Sequence, residues 1–167
     1  MAKIRTLERY YGNNRAAKAI YGAILIFVFI ATVRHAGETG SLNLAFSTFI
    51  AAISIVFAEI YAEIIGERIK HKGKVDKTER RVIINDAFAI AGVSIWPSLI
   101  FLMSATDLYG IDTAYNLALG YCLLVLAFFS YWANRMSGLR RSSSFVFSVV
   151  TVAVGFGIIW LKYLFGH

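Results

Sequence analysis

Three carboxylates recur at four-residue intervals in the sequence FAEIYAEIIGER, residues 57–68, at the end of a long apolar run. They are Glu59, Glu63 and Glu67. Residues four apart on a helix share one face, with Cβ atoms about 5–6 Å apart, so two ionised carboxylates there repel each other. A charge at the centre of a bilayer costs on the order of 3 kcal/mol on insertion scales. We therefore expect Glu59, the deepest of the three, to be protonated, paired with a cation or bound to a metal.

Two chemistries fit this pattern, namely binding of a divalent cation and binding of protons. The candidate metal ligands are Glu59, Glu63 and Asp86. Asp86 also has a simpler interpretation, as an acid near the start of the third span that the helix dipole favours. The metal would be a substrate, because no residue pattern indicates a resident cofactor.

Ion pairing is the alternative to a transport site. Lys18, near the start of the first span, lies at a depth that would let it pair with Glu63. Glu67 has basic neighbours in Arg68 and Lys70 and is expected to pair with one of them. In this interpretation the carboxylates neutralise nearby cations and hold helices together, and no ion moves past them.

Three further residues are candidates for ion pairing or gating, namely Lys18, Tyr61 and Pro97. Pro97 lies in the middle of the third span and has no N–H to donate to the carbonyl of Val93, so the helix is expected to bend or weaken there. Such a kink serves gating in some proteins and only shape in others, and the sequence leaves both open.

Composition predicts the elements that position these residues. The chain has 167 residues, 58% of them hydrophobic and only 16% charged, with a mean hydropathy of +0.63. An integral membrane protein has this composition and a soluble domain of this length does not. A helix needs about 20 apolar residues to cross the hydrocarbon core. We therefore predict an all-α, polytopic membrane protein, one domain over 1–167, with spans at 16–33, 42–65, 85–105, 114–132 and 145–165.

The charge distribution predicts orientation. Of the 17 basic residues, 15 fall in the amino-terminal tail, in a basic loop at 66–84 that includes Lys72 and Lys74, or at 133–144. The opposite loops carry acids such as Glu38. By the positive-inside rule the amino terminus is cytoplasmic and the carboxyl terminus outside, in what we expect to be the cell (inner) membrane. The net charge of +7 then indicates attraction to anionic lipids and not to nucleic acid.

Two local patterns refine this arrangement. The sequence DKTERR, residues 76–81, predicts a helix that runs into the third span with Asp76 or Thr78 as its cap. On the second span small residues recur at every fourth position, which lets another helix approach closely. These small residues are Ser54, Ala58, Ala62 and Gly66.

Four features of the sequence carry a resemblance to a known family, namely IYGAILI at 20–26, AISIVFAEIY at 52–61, the proline-bearing third span and the ending at 128–166. Together they resemble the vacuolar iron transporter family. The resemblance implies a five-span homodimer that exports ferrous or other divalent metal, against protons, along a path between two first helices. It places Glu59 on the family's second-helix glutamate. Leu25 stands where the family has an aspartate, Ile55 where it has a methionine, and a basic loop replaces its glutamate-rich helix.

Two functions follow as expectations. The first is a membrane transporter that moves a divalent cation or protons past Glu59 and Glu63, as a homodimer. The second is a non-transporting membrane scaffold or partner subunit, in which Lys18 neutralises the acids. An anion pore has less support, because no cationic residue lies deep in a span. No motif for covalent catalysis is present, so an enzyme is not expected.

Overall fold

The computed structural model describes residues 2–35, 40–70, 73 and 76–165, and nearly all of them are helical. The all-α prediction is confirmed. Glu38, Lys72 and Lys74, which the charge argument used, lie outside the described residues. The five helices are α1 (Ala2–His35), α2 (Ser41–Lys70), α3 (Lys77–Ser104), α4 (Ile111–Met136) and α5 (Arg141–Phe165).

Four of these helices are long and apolar enough to cross a membrane by length and composition. They are α2, α3, α4 and the segment Arg15–Arg34 of α1. In α5 the segment Arg141–Gly157 is also apolar but is shorter than these four. Large apolar side chains are exposed on every helix, as expected of a surface that faces lipid. The structure therefore fits an integral membrane protein, while the fifth span and the side that each terminus faces stay predictions.

The helix predicted to begin at 76–81 and to run into the third span is confirmed, since α3 spans Lys77–Ser104. Helix α2 continues to Lys70, beyond the predicted end of its span at 65, so the basic segment 66–84 is helical at both ends. The predicted cap of α3 is confirmed at Asp76, whose side chain accepts a hydrogen bond from the backbone N–H of Lys77. Glu79 completes a capping box by accepting a bond from the backbone N–H of Asp76, which leaves fewer unpaired donors at this helix end.

Helix α1 is the centre of the bundle, since it packs against all four other helices. Its side chains Ile26, Phe27 and Ile30 are almost completely buried. They pack in one core with apolar residues of α2, α3 and α4, where Phe101 and Tyr115 meet edge to face at 5.2 Å. Helix α2 is far more exposed than α1, and its exposed side chains include many large apolar ones.

A polar contact at one end of the bundle fixes the register of α2 against α3. The hydroxyls of Ser41, which begins α2, and Ser104, which ends α3, lie 2.9 Å apart. Ser104 also donates to the carbonyl of Tyr109 at 3.1 Å, which ties the turn after α3 to the same point. We call this the Ser41 end of the bundle. Because the first residue of α2 meets the last residue of α3, the two helices run antiparallel.

Gly22 allows α1 and α3 to approach closely. A Cβ atom at this position would lie 2.7 Å from Cγ2 of Ile90 and 3.4 Å from its Cα. Contacts under 3 Å force a neighbour to move, and Ile90 is β-branched and completely buried, so it has little freedom to do so. Gly22 is therefore required by packing between helices and not by a turn.

We expect Gly22→Ala to destabilise the protein by about 1–3 kcal/mol, the usual cost of an extra methyl group in a packed core. Thermal unfolding in detergent, followed by circular dichroism, measures the change. Gly120→Ala on α4 is the matched control, because a Cβ there would meet no atom within 4 Å. Equal midpoints for the two variants would show that α1 and α3 do not touch at Gly22.

Candidate functional site

Lys18 lies inside the bundle with only 5% of its surface exposed. Its Nζ donates a hydrogen bond to Oε2 of Glu63 and lies 3.6 Å from Oε1 of Glu59. The interpretation of Glu63 as the partner of Lys18 is thereby confirmed. Glu59 shares the same ammonium group, so the two carboxylates of α2 meet one cation of α1.

Both glutamates reach Lys18 because they lie on the same face of α2 and this face is turned toward Lys18 of α1. Glu59 and Glu63 are one turn apart on α2 and so point to the same side of that helix. Beside Lys18, α1 carries the buried alanines Ala16 and Ala19, which leave room for neighbouring helices to approach. The side chains of Glu59 and Glu63 are 21% and 30% exposed, so this contact is largely withdrawn from the surface.

Arg15 and Asp86 form a second ion pair next to the first. Nε of Arg15 donates to Oδ1 of Asp86 at 3.0 Å, and the side chain of Asp86 is 3% exposed. The interpretation of Asp86 as a first-turn acid is wrong, because α3 begins at Lys77 and Asp86 lies more than two turns inside it. The first-turn acid of α3 is Glu79.

The two ion pairs lie at one depth. Glu59 is 18 residues along α2 from Ser41, and Asp86 is 18 residues back along α3 from Ser104. At 1.5 Å per residue each lies about 27 Å from the Ser41 end. We call this group the charged layer. Its members are Arg15, Lys18, Glu59, Glu63 and Asp86.

The remaining candidates lie outside the charged layer. Tyr61 is two residues from each of Glu59 and Glu63, hence on the far side of α2, and is 69% exposed. Glu67 pairs with Lys70 at 3.1 Å, as one of its two predicted partners. Pro97 is buried in α3, which continues as a helix on both sides of it. Roles of Tyr61 and Pro97 in gating stay predictions.

The charged layer offers a metal ion few ligands. Among the side chains that the structure describes, no three His, Cys, Asp or Glu residues lie close enough together to hold a metal. Glu59 and Glu63 supply two carboxylates, and the ammonium of Lys18 already lies between them. Asp86 faces Arg15 instead. A divalent cation would have to displace Lys18 and to recruit further ligands.

Sequence reasoning did not single out Arg15, whose side chain is 49% exposed and pairs with Asp86, or three hydroxyl residues that the fold buries. Arg15 has no signal of its own, because a basic residue just before a span is an ordinary interfacial feature. Asp86, Ile90, Ser94 and Ser98 recur at every fourth position of α3 and therefore share its buried face. This repeat could have predicted from the sequence that Ser94 and Ser98 are buried. Thr48 lies on the buried face of α2, inside an apolar run.

Comparisons with protein-family models, with curated proteins and with solved structures find no match to this chain. The resemblance to the iron transporters therefore stays a prediction that depends on the quoted sequence stretches alone. The geometry of the charged layer has to carry the functional argument.

We expect Lys18→Met to lower the free energy of unfolding by about 3 kcal/mol, because it leaves two carboxylates one turn apart with no cation between them. Removing a carboxylate as well, in Lys18→Met with Glu63→Gln, should restore part of this loss. Chemical unfolding in mild detergent measures both variants.

Lys70→Met is the control for the loss of a lysine. Its pair with Glu67 is exposed, and exposed pairs contribute about 0.5 kcal/mol or less. If Lys18→Met were as mild as Lys70→Met, the ammonium of Lys18 would not be a buried partner of the glutamates.

Proposed function

We propose that this chain is a membrane transport protein that exchanges protons at Glu59 and Glu63, with Lys18 as a tethered counter-cation. One observation carries the proposal: two carboxylates share a single buried ammonium group. Among the side chains that the structure describes, Lys18 is the one cation within 4 Å of Glu59 and Glu63, so two ionised carboxylates here would leave one negative charge in excess.

An excess charge is costly beside a buried ammonium group, because the side chains of Glu59 and Glu63 are themselves only 21% and 30% exposed. A proton on either glutamate removes the excess and leaves one carboxylate paired with Lys18. The proton also relieves the repulsion between two carboxylates on neighbouring turns. The arrangement therefore has two balanced states, which differ in which glutamate holds the proton.

Lys18 is suited to the role of a tethered cation. Its charge sits at the end of a flexible four-carbon chain, so the ammonium can follow whichever carboxylate is ionised. Lys18 bonds to Glu63 more closely than to Glu59.

A divalent cation is a less favoured cargo. It would need Lys18 to leave and would find only Glu59 and Glu63 within the charged layer, since Asp86 is held by Arg15. The resemblance to iron transporters supports Glu59 as a transport residue. Leu25 and Ile55, which stand in place of the family's aspartate and methionine, supply no metal ligands. We therefore favour protons, with the divalent cation as the variant that the same assay tests.

We further propose that the functional unit is a homodimer with its basic side toward the cytoplasm and anionic lipids. The small-residue positions of α2 support this, since all four are exposed in the single chain and allow a second helix to approach. These positions are Ser54, Ala58, Ala62 and Gly66. Glu59 and Glu63 each follow one of these small residues in the sequence, about 100° further around the helix, and would flank the contact between subunits.

We expect Glu59→Gln to abolish proton flux in proteoliposomes, because the amide can neither ionise nor carry a proton. The flux is followed with a pH-sensitive dye trapped inside vesicles under an imposed potential. A parallel assay with a trapped metal-sensitive dye tests Mn²⁺ and Fe²⁺.

Glu67→Gln is the matched control, since Glu67 lies on the same helix two turns further on and outside the charged layer. It should transport as the wild type does. Unchanged proton and metal flux in Glu59→Gln would end the transport proposal.

A second function, a non-transporting scaffold or partner subunit, has one specific observation in its favour. Each member of the charged layer already meets an oppositely charged side chain of its own chain. Such pairs hold α1 against α2 and α3 without any exchange. In this interpretation Lys18 and Glu63 matter for assembly only.

We expect the exchange Lys18→Glu with Glu63→Lys to separate the two functions. Either single change places like charges together and should prevent stable expression, whereas the double change restores opposite charges across the same gap. A scaffold would recover fully in the double variant, as judged by expression and by the unfolding midpoint. A transporter would recover its stability without its proton flux, because the cation would then lie on α2, next to Glu59, and no longer on α1.

A further inference from the structure

The buried face of α3 alternates between polar and apolar side chains along the bundle. Three buried side-chain polar atoms have no hydrogen-bond partner among the residues that the structure describes. They are Oγ of Ser94, Oγ of Ser98 and Oγ1 of Thr48, on residues with 0%, 6% and 0% of their surface exposed. Leaving a buried hydroxyl unpaired costs about 1–3 kcal/mol. Three such groups in one bundle indicate that something else bonds to them.

Ser94 and Ser98 lie one turn apart on the same face of α3, on either side of Pro97. Proline has no N–H, so the carbonyl of Val93 lacks the donor that a regular helix would supply from position 97. Two hydroxyls and a backbone carbonyl are thus gathered within two turns. In membrane helices ordered water is one of the groups that bond to a carbonyl freed by proline.

Thr48 lies at the depth of Ser98 on the facing helix. It is seven residues along α2 from Ser41, and Ser98 is six residues back along α3 from Ser104, so each lies about 10 Å from the Ser41 end. The hydroxyl of Thr48 is completely buried, and α2 packs most extensively against α3. Ser94, Ser98 and Thr48 therefore lie at adjacent depths, on α3 and on the helix that packs most extensively against it.

Ser94 is the member nearest to the charged layer. Its Oγ lies 3.3 Å from the position that a Cβ of Gly22 would take, and Gly22 is one turn from Lys18 on α1. Ile90 stands between Ser94 and Asp86 on α3, and Phe101 stands between Ser98 and Ser104. Both apolar side chains are completely buried.

We infer that Ser94, Ser98 and Thr48, together with the carbonyl of Val93, form a binding site for ordered water in the middle of the bundle. A buried water molecule makes about three hydrogen bonds, and this set provides hydroxyls that donate or accept and a carbonyl that accepts. On the premise of the proposed function, this water continues the proton route from the charged layer toward the Ser41 end. Because the apolar side chains of Ile90 and Phe101 stand on either side of it, a proton reaches or leaves this water only when they move aside.

Water fits this site better than a metal ion does. Hydroxyls and a carbonyl bring no negative charge, so a cation here would be buried without a counter-charge. Water needs only hydrogen-bond partners. The charged layer and the hydroxyl site would thus do different work, the first holding the proton and the second passing it on.

The sign of a stability change tests the site. Replacing an unpaired hydroxyl with an apolar group stabilises a protein, whereas replacing one that bonds to water removes a hydrogen bond. We expect Ser94→Ala and Ser98→Ala each to lower the unfolding midpoint in detergent by about 2–4 °C. The control is Ser148→Ala, where a buried hydroxyl donates to the carbonyl of Ala127 at 2.7 Å and the midpoint must fall. A rise in midpoint for Ser94→Ala and Ser98→Ala would overturn the inference.

X-ray radiolytic labelling of the wild type gives a second measurement that needs no variant. Hydroxyl radicals form from bound water and oxidise the side chains beside it. We expect labelling of Pro97 and Phe101, with Phe27 of the core as the unlabelled reference. Absence of label at both positions would also overturn the inference.

Proton flux separates this inference from the proposed function. In vesicles we expect Ser94→Ala with Ser98→Ala to reduce proton flux about tenfold while Glu59 and Lys18 remain in place. If Pro97 and Phe101 are labelled in a wild-type protein that moves no protons, the proposed function is wrong and the water site stands. Full flux in the double variant would show that protons reach the Ser41 end without these hydroxyls, and would overturn their part in the route.

Discussion

The burial of one ammonium group constrains the rest of this structure. A lysine inside an apolar bundle is tolerated only if its charge is met at short range. Lys18 is met by Glu63 and Glu59, which α2 can supply from one face because they are a turn apart. Asp86, whose side chain is 3% exposed, needs a cation of its own, and α1 supplies it in Arg15. The positions of three helices relative to one another thus depend on a few charges within the same layer.

Polar groups are distributed along the bundle in three levels. The charged layer lies at one end, unpaired hydroxyls lie in the middle, and the hydroxyls of Ser41 and Ser104 meet at the other end. Apolar side chains completely buried on α3 stand between these levels. A structure selected for stability alone would fill the middle level with apolar groups, because an unpaired hydroxyl only costs energy there. The three hydroxyls without a partner among the described residues therefore favour the ordered water inferred above.

Much of this could be predicted from the sequence, for physical reasons. Apolar runs of membrane length define the helices, and the carboxylate spacing places Glu59 and Glu63 on one face. The pairing of Glu63 with Lys18 follows from equal depth, and the cap at Asp76 from local chemistry. The partner of Asp86 could not be predicted, because it depends on how α1 and α3 meet across a contact that Gly22 permits. The unpaired hydroxyls of Thr48, Ser94 and Ser98 could not be predicted either, since serine and threonine in apolar helices usually bond to their own backbone.

The central position of α1 has a consequence for how the bundle folds. Helix α1 packs against all four of the other described helices. Until α2 packs against it, the ammonium of Lys18 has neither carboxylate beside it. The buried surface around Ile26 and Phe27 is complete only when α2, α3 and α4 have all packed against it. Docking of α2 therefore brings the counter-charge of Lys18, and docking of α3 and α4 completes the core around the same helix.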